Sequence, residues 1–486
     1  MWSSKIFKNG LYIKNKNMKK RKIYVIVISA ISLIGTSSCS VVHKTYKVPQ
    51  IEHTELLYGH DRQTDSITIA AILWRNYFAD TLLVNLIDEG IRNNFDLRIA
   101  QTRIRAAETC LREARNAFFP EIGLTGQVEH LRTSDGNRGK NVMGYSSTEY
   151  TLGITANWEL DIWGKLNSRR KSEYAAFLGS HAYRNLIQTS LISNIAVSYY
   201  SLLALDEELL VTCSTVELMK ENLSVMTKLM EAGLQTGAAV EQSKVTLYNT
   251  QSRIPDLEYQ IAEMEHTLCT LVGRMPGEIK RNTFNEQIIV DQLHYGVPAQ
   301  MLAQRPDVQE AEAAFRSAFE LTNTARASFY PSVKLTSGTI GYNNLNTLSE
   351  FFHPENLFLN LVGGLTQPLF NRRRLRSELE IAKAREDEAL LLFQQTVLLA
   401  GQEVTDILAE FHSASQKNDT RKNQVEAAQN AVDYTRKLLL AGDVDYTEVL
   451  TAEESYLSSQ LAQVGDKLQQ ILCTVRLYRA LGGGIK

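Results

Sequence analysis

The chain has 486 residues, nine histidines, five cysteines and a formal net charge of −2 at pH 7, enough length to bury several cores. That balance, with no basic stripe interleaved with aromatics, argues against a nucleic-acid partner, and Lys and Arg alternate with Asp and Glu along the chain as on solvated helix faces. After the N-terminal segment no run of about 18 apolar residues occurs, which excludes a helical membrane protein.

The N-terminus reads as an export signal over residues 1–38. Lys19 to Lys22 is basic, Ile23 to Ile34 is a short apolar run, and Gly35-Thr36-Ser37-Ser38 are small residues before Cys39. Met18 is a plausible true start, which leaves residues 1–17 as an upstream extension. Small residues set directly before a cysteine resemble a bacterial lipoprotein cleavage site, which implies that Cys39 is the acylated first residue of the mature chain. Thr36 departs from the aliphatic residue usual three positions earlier, and ordinary signal cleavage nearby is the alternative.

Residues 39–73 are polar and aperiodic, as expected of an extended arm. From Trp74 to Phe119 apolar residues recur at helical spacing, and Pro120 ends that helix because it lacks an N–H and disfavours helix in the residue before it. Ile122, Leu124 and Val128 alternate with polar or small residues over 121–131, and Tyr150, Leu152, Ile154, Ala156 and Trp158 do so over 149–160; both stretches read as strands with one oily and one wet face. A polar, Gly-containing segment joins them. From 166 to 232 the chain runs without proline, with apolar residues at spacings of three and four, and reads as one helix about 100 Å long at about 1.5 Å per residue. Two neighbouring rows on it, one through Ile195 and Tyr199 and one through Ile192, Ala196 and Tyr200, predict packing partners on both sides. After Gly233 the chain returns as a helix to Gly273, and 275–298 is an irregular connector.

The second half, 299–486, opens at Pro306, which suits a first helical turn, and its helix stops at Pro331. Strands are predicted over 332–342, with Val333, Leu335, Ser337 and Thr339 as one row, and over 356–367, with Leu357, Leu359, Leu361 and Gly363. A second long helix follows over 374–440, then a last one from Thr447 to Leu481. Cys110, Cys213, Cys269 and Cys473 stand singly on helical segments and read as buried thiols.

The two halves repeat. Ala114-Arg-Asn-Ala-Phe-Phe-Pro120 returns as Ala325-Arg-Ala-Ser-Phe-Tyr-Pro331, 211 positions on, and Glu231-Ala-Gly233 returns as Leu440-Ala-Gly442, 209 positions on. Nearly constant offsets over so long a span mean an internal duplication. Residues 74–274 form the first unit and 299–486 the second. Four strands cannot close a barrel, and in lipid an open edge leaves backbone groups unpaired at several kcal/mol each. If the strands span a membrane, several copies must pool them, and three copies would supply about twelve, within the range of outer-membrane barrels.

Arg305-Pro-Asp-Val-Gln-Glu-Ala-Glu312, Trp158-Glu-Leu-Asp-Ile-Trp-Gly-Lys165, the paired Phe-aromatic-Pro stops and Ala441-Gly-Asp-Val-Asp-Tyr-Thr-Glu-Val-Leu-Thr-Ala452 together resemble the TolC-like outer membrane factor family, and within it the lipid-anchored branch serving resistance-nodulation-division (RND) pumps. The resemblance covers roughly Trp74 to Gly483. It implies a mainly α protein with a membrane β-barrel: a homotrimer with one twelve-stranded barrel in the bacterial outer membrane, continuous with a periplasmic α-helical barrel. It further implies partners in a periplasmic adaptor and an inner-membrane RND transporter. In that fold the tip turns Ala232-Gly233-Leu234 and Ala441-Gly442-Asp443 contact the adaptor. Glu448 takes the family's acidic gate position, Thr451 replaces a second acid, and the matching first-tip position is Ala239. Asp445 and Asp443 add local negative charge, and the three acids are expected to form the closing rings, although acids in a helix's first turn are also ordinary solvated groups.

No cofactor or catalytic centre is expected. The histidines are scattered, Gly164-Lys165-Leu166 lacks the upstream glycine of a phosphate loop, and Asp443-x-Asp445 is too short for a calcium loop. Two other readings stay open: the outer membrane component of a type I protein secretion system, and a lipid-anchored periplasmic coiled-coil scaffold, which would have no need of amphipathic strand pairs.

Overall fold

The computed structural model describes residues 43–49, 69–132, 146–287, 302–345 and 347–485. Cys39 and the signal segment lie outside them. In chain order the elements are α1 (Trp74–Tyr77), α2 (Thr81–Asn93), α3 (Phe95–Asn116), β1 (Glu121–Arg132), β2 (Ser146–Leu160), α4 (Lys165–Glu231), α5 (Gly237–Val272), α6 (Pro306–Ala327), β3 (Ser332–Leu345), β4 (Leu357–Thr366), α7 (Arg374–Ala441) and α8 (Tyr446–Ala480). The chain forms two compact units that cut across the sequence repeats. The first takes its described residues from 1–49, 106–177 and 313–391, and the second from 50–105, 178–312 and 392–486.

The single helix expected from Trp74 to Phe119 is three. Asp80 caps α2 by accepting from the backbone N–H groups of Leu82 at 2.8 Å and Leu83 at 3.3 Å, and the Asn94 side chain accepts from Leu97 N–H at 3.1 Å to start α3. Short polar side chains that satisfy the orphan donors of a helix start make a break there inexpensive. A face drawn by spacing alone runs straight through such caps.

In the first unit the strands form one antiparallel sheet in the order β1-β2-β3-β4. The register pairs Leu124 with Ile154, Ile154 with Ile340 and Ile340 with Leu359, so these residues share one face. A bulge corrects the row expected on β3. Ala156 pairs with Gly338 but Trp158 pairs with Leu335, so the extra residue shifts parity, and the face holding Val333 and Leu335 continues through Gly338 and Ile340 rather than Thr339.

The second unit is helical. Leu191, Ile192, Ile195, Ala196, Tyr199 and Tyr200 on α4 are all buried, so both predicted apolar rows have partners, which include Leu83 and Ile87 of α2 and Leu268 of α5. The cysteines divide: Cys269 and Cys473 are buried, whereas Cys110 and Cys213 are exposed, contrary to expectation. Burial, chiefly, pushes the Cys473 thiol up to about 12, so it is not a reactive thiolate.

Candidate functional site

Two features of the sequence are now placed in space: the sheet and the pair of tip turns. The sheet face that carries Ile122, Leu124, Ile154, Ile340, Leu359 and Leu361 is open, with Leu124 76% and Leu361 63% exposed. Contiguous apolar surface on this scale is rare on a protein facing water and marks contact with lipid or protein. The opposite face carries Thr125, Gln127, Thr155, Glu159, Lys334 and Asn360, so the sheet separates an oily from a polar side. Glu159 bridges Lys165 at 3.0 Å and Lys334 at 3.3 Å on that polar side. Among the described residues β1 pairs with β2 alone and β4 with β3 alone, so both outer edges of the sheet are unpaired there.

The tip turns belong to the second unit, and both are built alike. At the first, Leu234 N–H donates to Leu229 O and Gly233 N–H to Met230 O, each at 2.9 Å, with Gly233 at φ +73°. At the second, Asp443 N–H donates to Leu438 O at 3.0 Å and Gly442 N–H to Leu439 O at 3.1 Å, with Gly442 at φ +83°. This is the glycine-closed helix end in which a left-handed residue lets the last carbonyls find donors. Thr236 caps α5 by accepting from Ala239 N–H at 3.3 Å. Asp445 stands at the equivalent place before α8, but its side chain makes no capping bond.

Beneath the turns Met226 of α4, Val240 of α5 and Tyr446, Val449 and Leu450 of α8 form a small core, with Leu439 of α7 against it. The structure brings the four tip helices together here. It leaves Ala232, Gly233, Leu234, Ala441, Gly442 and Asp443 on the surface, and Asp445 and Glu448 exposed beside them. Among the described residues the Asp443, Asp445 and Glu448 carboxylates form no ion pair.

One residue that spacing did not single out lies next to this core. Glu453 of α8 is 3% exposed, accepts from Arg436 of α7 at 2.9 Å and is bonded by the Asn222 amide of α4, so a single carboxylate ties three tip helices. Burial raises its pKa, and the Arg436 guanidinium offsets part of that rise. A signal was present: Tyr446, Val449, Leu450, Glu453 and Leu457 fall on one helix row, and an acid in an otherwise apolar row is a buried acid with a partner.

An amphipathic antiparallel sheet fed by long helices, duplicated along the chain, defines a channel-forming outer membrane protein of the TolC-like fold. The match to known proteins makes this specific. The family model described as outer membrane efflux protein matches residues 86–274 and 297–483, one span in each half, and the chain belongs to that family. It is 28% identical over 414 residues to the cation efflux system protein CusC of Escherichia coli O6:H1, covering 85% of this chain and 88% of that one. It is 29% identical over 420 residues to the pyoverdine export outer membrane protein OpmQ of Pseudomonas putida, with 85% and 88% covered. The solved outer-membrane channel OprN superposes with a TM-score of 0.83 at 25% identity, over 91% of this chain and 99% of that one.

Proposed function

We propose that this efflux protein is the exit duct of a tripartite system: three copies close one barrel, and the helices continue it as a periplasmic conduit opened at its tip by an adaptor and an RND pump. The observation that carries this is the sheet with an oily face and two unpaired edges. In lipid that arrangement is satisfied only when other strands pair with both edges, and a head-to-tail set of copies does so with no new kind of contact. Transport is passive. Adaptor binding shifts the tip helices from closed to open, which requires contacts that differ between the two states, and charge-assisted hydrogen bonds of about 1.5–3 kcal/mol each are enough to bias it. CusC and OpmQ are described as handling cations and pyoverdine and stand at nearly the same identity to this chain, so overall identity selects no cargo.

The gate proposal assigns the closing rings to Glu448, Asp445 and Asp443. All three are exposed, Asp443 within the second tip turn and Asp445 and Glu448 just after it. Three copies would concentrate nine carboxylates at one aperture, which attracts cations and repels anions. In planar bilayers the triple variant Glu448→Gln, Asp445→Asn, Asp443→Asn is expected to lose cation preference several-fold and to change single-channel conductance. Wild-type values in that variant would remove the assignment. Lipid attachment at Cys39 rests on the Gly35-Thr36-Ser37-Ser38-Cys39 pattern. Mass spectrometry of the mature protein should find an acylated Cys39 as its first residue, and a mature chain that begins elsewhere would reject it.

A further inference from the structure

The two halves are joined inside the chain by a contact whose counterpart the isolated chain leaves empty. Where β2 ends and β3 begins, the Trp163 ring stacks on Tyr330 with centroids 5.0 Å apart, and Trp163 Nε1–H donates to Pro331 O at 2.7 Å. The duplication maps each side of this seam elsewhere. Adding 209 to the trailing side turns Gly164 into Arg373 and Trp163 into Arg372, and subtracting 211 from the leading side turns Tyr330 into Phe119 and Pro331 into Pro120.

The backbone obeys the mapping. Gly164 sits at φ +70° and Arg373 at φ +68°, although arginine adopts that region at a cost. Trp158 Nε1–H donates to Phe118 O at 2.8 Å, and its counterpart Gln367 Nε2–H donates to Phe329 O at 2.9 Å. The turn after β4 thus keeps the left-handed residue and the side-chain bond of the turn after β2, although Arg372 itself sits at φ +52° and Phe370 stands where Asp161 caps α4, and its apolar side chains lie open. Leu369 is 92% and Phe370 96% exposed, Phe119 is 71% exposed, and Arg372 forms no ion pair among the described residues.

We propose that Arg372 lies over the ring of Phe119 of the partner subunit and takes the place Trp163 holds over Tyr330 within the chain; this rests on the multi-copy reading above. A guanidinium stacks on an aromatic face as an indole does and keeps N–H groups free to reach the Pro120 carbonyl of the partner subunit. The same contact covers Leu369 and Phe370. The seam between subunits differs from the seam within them in one respect. Glu159, which bridges two lysines at the inner seam, maps to Pro368, and Lys334 maps to Gly123. Beside its strand pairing the outer seam thus has the Arg372 stack and no ion-pair triad, whereas the inner one has the Trp163 stack and the triad.

Photocrosslinking from p-benzoylphenylalanine placed at position 119 of the full-length protein, in native outer membranes, tests this. The expected product is a covalent dimer whose crosslink maps by fragmentation to residues 369–374. Arg372→Glu should cut its yield about two- to fivefold, the loss of a cation–π contact of about 0.5–1 kcal/mol, and Arg372→Lys, which keeps the cation, should retain most of it. A crosslink that maps elsewhere, or a yield indifferent to Glu at 372, overturns the contact. Amine crosslinking of the wild type, run alongside, separates the two levels: oligomers without the mapped crosslink reject this contact alone, and no oligomers reject the multi-copy reading with it.

Discussion

A Gly341→Val chain should fail to assemble in the outer membrane, and any protein recovered should unfold at a markedly lower temperature. Gly341 pairs with Gly153 across the β2–β3 ladder. A Cβ at 341 would overlap Leu152 O and Gly153 Cα, both backbone atoms that cannot swing aside. The strands would have to part. Overpacking a core commonly costs about 1–3 kcal/mol even when side chains yield, so a clash with backbone, and the ladder bonds lost with it, should cost about 3 kcal/mol or more. The position matters because β2–β3 is the seam that joins the two repeats into one sheet. Gly126→Val on β1 is the control: a Cβ there meets only a Leu152 methyl at 3.7 Å. Equal behaviour of the two variants in a membrane-fraction blot and a thermal unfolding scan would show that the seam is not as tight as its glycines indicate.

Removal of the Asp80 carboxylate should destabilise the helical unit by about 3–5 kcal/mol. Beyond its two capping bonds, Asp80 accepts from the Tyr199 hydroxyl at 2.8 Å, the Asn282 amide at 2.9 Å and the Gln287 amide at 3.2 Å, and it is buried. It thereby ties the start of α2 to the middle of α4 and to the segment after α5. Asp80→Ala loses an N-cap worth about 0.5–2 kcal/mol and leaves several inward donors without an acceptor at about 1–3 kcal/mol each, less where water reaches them. Asp80→Asn keeps one acceptor and should fall between. Thermal unfolding in detergent gives the order wild type, Asn, Ala; an alanine variant within about 1 kcal/mol of wild type would mean that water replaces the carboxylate.

What the sequence by itself determined was every feature held by local rules. Pro120 and Pro331 end helices wherever the fold puts them, Gly233 and Gly442 close helix ends because few other residues enter the left-handed region, and apolar spacing marks which sides of α4 are buried. The duplication, and with it the family, was legible for the same reason, since matching local signals recur in order. Only the tertiary structure decided the parity of β3, the breaks at Asp80 and Asn94, the exposure of Cys110 and Cys213, and the burial of Glu453. The parity of β3 and the burial of Glu453 depend on residues far along the chain. The β3 bulge exists only against β2 and β4, and Glu453 is a stable buried acid only because α7 brings Arg436 and α4 brings Asn222 to it. Spacing along one element records which face is oily, whereas the partner that meets that face is fixed by packing between elements.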